Sequence, residues 1–365
     1  MASIWNHRIS ISLFGEAEGP AIGVVLDNLP PGEYIELDAL ARFMARRTKS
    51  LFLPDDPKQP LDYPQVLSGL INDRTTGSPL CAFLNNPRGI GQVDYQQLSH
   101  LARPGHADYT GAMRYRGFAD VRSGGHLSER MTIPLCFAGA VCAQILERRG
   151  IYVGAQITSV HNIKDKPLSS TEVTKEQLLT IRNRRFPVNN PVQGKKMLAD
   201  IQKAAAGGET LGGTIRCYAV NVPAGIGSPI FDGLENSIAQ LVFGIPGVRG
   251  LEFGAGFATA KMTGSQCNDP FYVDDRGHVK TQTNNHGGIL GGISSGMPIC
   301  FSVAVKPAAS IQKPQATVDY SAMTNEVLQS AEHSHPCMVP EAVPGVEAAM
   351  SIALVSHLLD YPNFV

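Results

Sequence analysis

Two stretches of this sequence leave a folded chain no face on which to expose them. From Ile133 to Ile145 the residues are apolar apart from Gln144, with Pro134 near the start, and the run falls short of the roughly 20 residues that cross a bilayer. From about Glu341 to Leu359, Val346, Met350, Leu354 and Leu358 recur at helical spacing, with apolar residues on several further faces. A helix apolar on several faces belongs in a core or at an oligomer interface, so the fold has to enclose both segments.

Composition supplies the rest of that core. Of 365 residues, 43% are apolar and 17% charged, which excludes a disordered polymer. Lys plus Arg number 31 against 32 Asp plus Glu, for a net charge of -1, a poor footprint for binding nucleic acid or an anionic membrane. Any basic site must therefore be local. The first residues show no basic region followed by a sustained apolar core, so they do not read as a secretion signal. The seven cysteines are scattered and never spaced Cys-x-x-Cys, the pattern of reduced cytoplasmic thiols. Glycine, at 37 residues, exceeds the usual share of roughly 7% and points to backbone that approaches a ligand closely.

Nothing along residues 1–365 resembles a linker, a charge block or a solenoid repeat, so we expect a single domain. Strand-like segments at Ile9 to Phe14, Ala21 to Leu26, Ile151 to Val160 and Thr214 to Val222 alternate with helix-like ones, giving a mixed α/β (α+β) class. Helix boundaries are marked by chemistry. Thr132 precedes the apolar run as a candidate cap, and Arg148, Arg149 and Gly150 follow it. Thr174-Lys175-Glu176-Gln177 has capping-box form, and a further helix is expected after Pro191 with Met197, Leu198 and Ile201 on one face.

Chemistry concentrates in two regions. Arg103-Pro104-Gly105-His106-Ala107-Asp108-Tyr109 and Arg122-Ser123-Gly124-Gly125-His126-Leu127-Ser128-Glu129-Arg130 combine glycines with arginines just before a helix. Such backbone can close on an anion while guanidinium groups supply fixed donors for phosphate or carboxylate. Thr283 to Gly296 is glycine-rich and leads to Lys306-Pro307-Ala308-Ala309-Ser310. The glycines suit a flat cofactor and Lys306 with Ser310 suits a phosphate, although the spacing is neither a dinucleotide fingerprint nor a Walker loop. Each region standing alone also reads as a plain surface turn. His333-x-His335-x-Cys337 has metal-binding residue types but no clear fourth partner, and no metal is assigned.

These segments, together with Gly19-Pro20-Ala21-Ile22-Gly23, Pro30-Pro31-Gly32, Thr75-Thr76-Gly77-Ser78-Pro79, Val222 to Gly227, Phe231-Asp232, Gly264-Ser265, Asn268-Asp269 and Ala342-Val343-Pro344, resemble chorismate synthase in order and spacing nearly end to end. The resemblance implies a helical layer between antiparallel sheets, a homotetramer, and no nucleic-acid or membrane partner. It also implies conversion of the small anionic substrate 5-enolpyruvylshikimate 3-phosphate to chorismate by trans-1,4 elimination of phosphate with reduced FMN. Some members reduce their own flavin with NADPH, and no nicotinamide-binding fingerprint is present here. Carried over by position, His106 is the histidine that protonates or polarises the flavin. Arg46, Arg47, Arg103 and Arg130 bind substrate oxyanions, and Ser128, Asn284, Gly288, Lys306 and Ser310 contact the flavin.

The departures fall where chemistry is expected. The family's Gly-Glu-Ser-His-Gly is Gly15-Glu16-Ala17-Glu18-Gly19 here, so Glu18 replaces the histidine thought to protonate departing phosphate. Glu18 can donate a proton only if burial or a nearby anion lifts it above the usual ~4.3. Where the family has Gly-Arg-His-Asp-Pro-Cys, this chain has Glu332 to Cys337, so His335 replaces an aspartate that assists proton removal and His333 replaces a substrate-binding arginine. Histidine near neutrality can act as a base, and that is the role expected of His335. Arg also becomes His126, Glu becomes Met131, and Arg becomes Glu341. The competing reading is a paralogue that keeps the scaffold and flavin binding with lost or altered elimination.

Overall fold

The computed structural model describes residues 3–48, 64–85, 100–329 and 335–361. Two five-stranded antiparallel sheets enclose a layer of helices. The first runs in the order Ile4–Asn6, Ser10–Gly15, Ala21–Asp27, Leu80–Asn85, Gln65–Ser68. The second runs Val248–Phe253, Ile299–Val305, Gly213–Val220, Tyr152–Val160, Ile163–Lys164.

The two apolar stretches form the layer between them. The Thr132–Arg148 helix buries every residue from Thr132 to Leu146 except Gln144 and packs on the first sheet. The Val339–Leu358 helix has all 20 of its residues buried and lies between the first helix and the second sheet. Glu129–Arg148, which adds the preceding turn to the first of these helices, and Val339–Leu358 both have the length and hydropathy of a membrane span. Their burial inside the protein accounts for the composition without a bilayer. They approach closely because Gly139 faces Ala348, where an added Cβ would come within 2.1 Å of the alanine methyl.

Alternation places the second sheet between two cores. Ile215, Cys217 and Ala219 face the helical layer, while Tyr218 and Val220 meet Leu178 and Ile181 of the Lys175–Arg182 helix. That helix opens with the expected box: Thr174 Oγ1 accepts from Gln177 N and Gln177 Oε1 accepts from Thr174 N. The Pro191–Ala206 helix buries Met197 and Ile201. Thr132 departs from expectation. It is the first residue of its helix, its hydroxyl donating to the Glu129 carbonyl at 2.7 Å while accepting from Arg47 Nε. All seven cysteines are free thiols, and burial pushes Cys136 up to about 12, so it behaves as a small apolar side chain.

The buried final helix carries a charge. Glu347, 1% exposed, forms a bidentate pair with Arg46 of the Leu37–Thr48 helix and accepts the Ala155 N–H at 2.9 Å. Glu347 thus ties the helical layer to the second sheet. Glu347→Ala strands the guanidinium and the N–H, and a loss of about 3–5 kcal/mol in a urea titration is expected. A change below about 1 kcal/mol would show that Arg46 is held by something else.

Candidate active site

The loops at one edge of the helical layer surround a cavity of about 730 Å³, within the usual range for a small-molecule site. Its wall includes Arg103, His106, Ser128, Arg130, Lys306, Ser310 and His335, drawn from segments far apart in sequence. Two glycines allow this closure. Gly125, at φ +53° and ψ -129°, occupies backbone space forbidden to other residues, and a Cβ there would stand 1.9 Å from the Asp120 carbonyl. Gly105, at φ +76°, brings the chain against Ala309, whose Cβ would be 2.9 Å from an added methyl.

Near Gly105 the site is built to receive an anion. Lys306 Nζ donates to the Gly105 carbonyl at 2.6 Å, and His106 Nε2 lies 2.9 Å from Ser310 Oγ. Partial withdrawal from water, then the nearby Arg103 charge, push His106 down to about 4. Its imidazole is therefore neutral at pH 7 until an anion arrives to favour the charged form. Burial and the Arg249 charge also lower Lys306. Arg249, exposed on the same wall, carries no motif in the sequence and was not anticipated.

The arginines are unequal. Arg103 holds Asp108 by two hydrogen bonds, 2.7 and 2.9 Å, so part of its charge is spent within the wall. Arg130 donates to the Ala17 carbonyl at 3.0 Å and anchors the Gly15–Gly19 turn. Glu18 in that turn does not itself line the cavity. Its Oε1 accepts from Ser123 Oγ at 2.7 Å, and Ser123 does line it. His126 lies between Ser3 and the Gly15 carbonyl, a structural placement.

Four expected site residues stand elsewhere. Arg46 is committed to Glu347, as described. Arg47, 7% exposed, is enclosed by the Thr132 hydroxyl, the Glu129 carbonyl, and the carboxylates of Glu341 at 3.5 Å and Glu129 at 3.8 Å. Asn284 donates to the Ser170 and Pro298 carbonyls, and a Cβ on Gly288 would meet the Pro298 carbonyl at 2.5 Å. Asn284 and Gly288 belong to a turn organised by Asp269. Burial pulls that carboxyl up, but hydrogen bonds from Thr283, Asn285 and His286 hold it down to about 2. His333 lies outside the described residues.

His335 meets Glu341 with Nδ1 3.0 Å from Oε1. Glu129, His335 and Glu341 bring ligand atoms within 4.8 Å of one another, yet Arg47 already supplies a cation to both carboxylates. Cys337 is fully buried and burial pushes its thiol up to about 12, and it is not among the clustered groups.

The donor set suits a phosphate group: Lys306 and Ser310 converge beside Gly105, with Ser128 on the same wall. A family model described as chorismate synthase matches residues 9–359. The chorismate synthase of Dehalococcoides mccartyi is 40% identical over 361 residues, covering 98% of this chain and 97% of that one. The chorismate synthase of Thermococcus kodakarensis is 38% identical over 351 residues, covering 96% of each. A solved structure titled as a crystal structure of chorismate synthase superposes with a TM-score of 0.77 at 25% identity, over 98% of this chain and 94% of that one. The whole enclosing fold is therefore that of a family, and this chain belongs to the chorismate synthase family.

Proposed function

We propose that the protein is a lyase that eliminates phosphate from 5-enolpyruvylshikimate 3-phosphate to give chorismate, with reduced FMN as cofactor. The supporting observation is the convergence of His106, Ser128, Arg130, Lys306, Ser310 and His335 on one cavity. Lys306 and Ser310 would hold the flavin phosphate, with Ser128 beside them. Arg103, Arg130 and the unanticipated Arg249 give the wall positive charge for the substrate's oxyanions. Reduced FMN, when bound, supplies electron density to the reacting ring as phosphate leaves. His106, neutral in the empty cavity, becomes the cation beside an anionic ligand. The Ser123 hydroxyl stands between Glu18 and the cavity and offers a route for a proton to departing phosphate. A cytoplasmic homotetramer is part of the same reading.

The alternative, a paralogue with altered elimination, is favoured by one feature: Glu129 lines the cavity and Glu341 stands just behind His335, negative groups in a site expected to attract anions. Anaerobic incubation with excess chemically reduced FMN distinguishes the two. We expect phosphate and chorismate to appear in equal amounts. Folded, flavin-saturated protein that yields neither would support the paralogue.

Two substitutions divide the roles. Lys306→Met is expected to weaken FMN binding about 10-fold or more, as loss of a charged hydrogen bond does, read from quenching of flavin fluorescence. Glu18→Gln is expected to lower kcat about 100-fold while leaving FMN affinity unchanged. Glu18→His should retain turnover. Unchanged kcat in Glu18→Gln would remove Glu18 from the chemistry.

A further inference from the structure

The position expected to hold a base lies against a cluster of buried charges. Behind the wall, Arg47 from the Leu37–Thr48 helix faces both Glu129, from the turn before the Thr132–Arg148 helix, and Glu341, in the first turn of the Val339–Leu358 helix. Glu341 is 4% exposed and Arg47 7%. Two carboxylates and one guanidinium leave this group with one negative charge in excess, and an uncompensated charge in a buried place is costly. His335 is the titratable group that completes it, with Nδ1 3.0 Å from Glu341 Oε1.

We propose that Glu341 is a positioning residue that holds His335 as an imidazolium, so that the ring presents a charged Nε2–H to an oxyanion of the ligand and does not act as a base. The inference rests on the reading of the cavity as an anion site. The His335 side chain is 44% exposed and lines the cavity, so the ring reaches both the buried carboxylate and the space where a ligand would lie. The nearby Glu341 carboxylate, with Glu129 behind it, outweighs partial burial and the opposing Arg47, and His335 is raised above its ordinary value. Arg103, Arg130, Arg249 and Lys306 share the cavity wall, as do Asp108 and Asp120. In place of the aspartate and arginine that the family resemblance implies at 335 and 341, this chain has a histidine and a glutamate. The pair keeps opposite charges with their order reversed, and a cation now faces the cavity.

Diethyl pyrocarbonate tests this directly, because it acylates histidine only in its neutral form and the modified histidine is identified by peptide mass spectrometry. In the full-length protein, the reactivity of His335 is expected to rise with a midpoint above the ordinary ~6.5. Glu341→Gln should bring the midpoint down, Glu341→Asp should restore it, and Glu129→Gln should lower it less. Inorganic phosphate, the probe for the anion, should protect His335 at pH 7 in the parent protein and lose that protection in Glu341→Gln. A midpoint at or below 6.5, or one unmoved by Glu341→Gln, overturns the proposal. If Glu341→Gln does not fold, the parent midpoint and the Glu129→Gln shift decide it alone. Because the midpoint is read without turnover, a failure of the elimination reading leaves this result interpretable.

Discussion

The constraint on which this structure depends is a helix with no solvent-facing side. Val339–Leu358 is enclosed along its entire length, so protein must cover it in every direction. The Thr132–Arg148 helix covers one side, the second sheet another, and the Leu37–Thr48 and Leu234–Phe243 helices the rest. The Gly139–Ala348 contact sets how close the two core helices lie. Its carboxylates then have to be answered from neighbouring elements: Glu347 by Arg46 and Glu341 by Arg47 and His335.

That requirement is what links packing to chemistry. The first turn of the buried helix ends at the cavity wall, and the turns that supply Ser123, Ser128 and Arg130 are fastened to the start of the neighbouring core helix through Thr132 and Glu129. The Gly15–Gly19 turn is attached in turn by Arg130 and by the Ala17 N–H on the Gly125 carbonyl. A rigid core therefore fixes the relative positions of groups that are themselves on loops, which is how flexible chemistry is given a defined geometry.

Much of the fold was legible because it rests on local signals. The two apolar stretches announced the enclosed layer, the Thr174 box began a helix where it should, and Gly150 followed the end of another at φ +76°. The site was legible only in part. His106, Lys306 and Ser310 converge as expected, but Arg46 and Arg47 look like anion binders in sequence because nothing there reveals Glu347 and Glu341, some 300 residues away. The glycines around Asn284 and Gly288 suggested a flat ligand, whereas the structure uses them for backbone contacts with Pro298. Glu341 was visible as a lost arginine, and its meaning appeared only when His335 was found against it. Long-range charge pairing leaves no periodic trace, and a residue such as Arg249 has no motif to mark it.

A crystal structure of the protein with FMN and inorganic phosphate would test the central claim most directly, that one cavity holds both the cofactor and the substrate's anionic groups. The account predicts the flavin phosphate on Lys306 and Ser310, His106 against the flavin, and a separate phosphate ion on the arginine side of the same cavity. FMN bound away from that cavity, or a cavity that excludes it at saturating concentration, would contradict it.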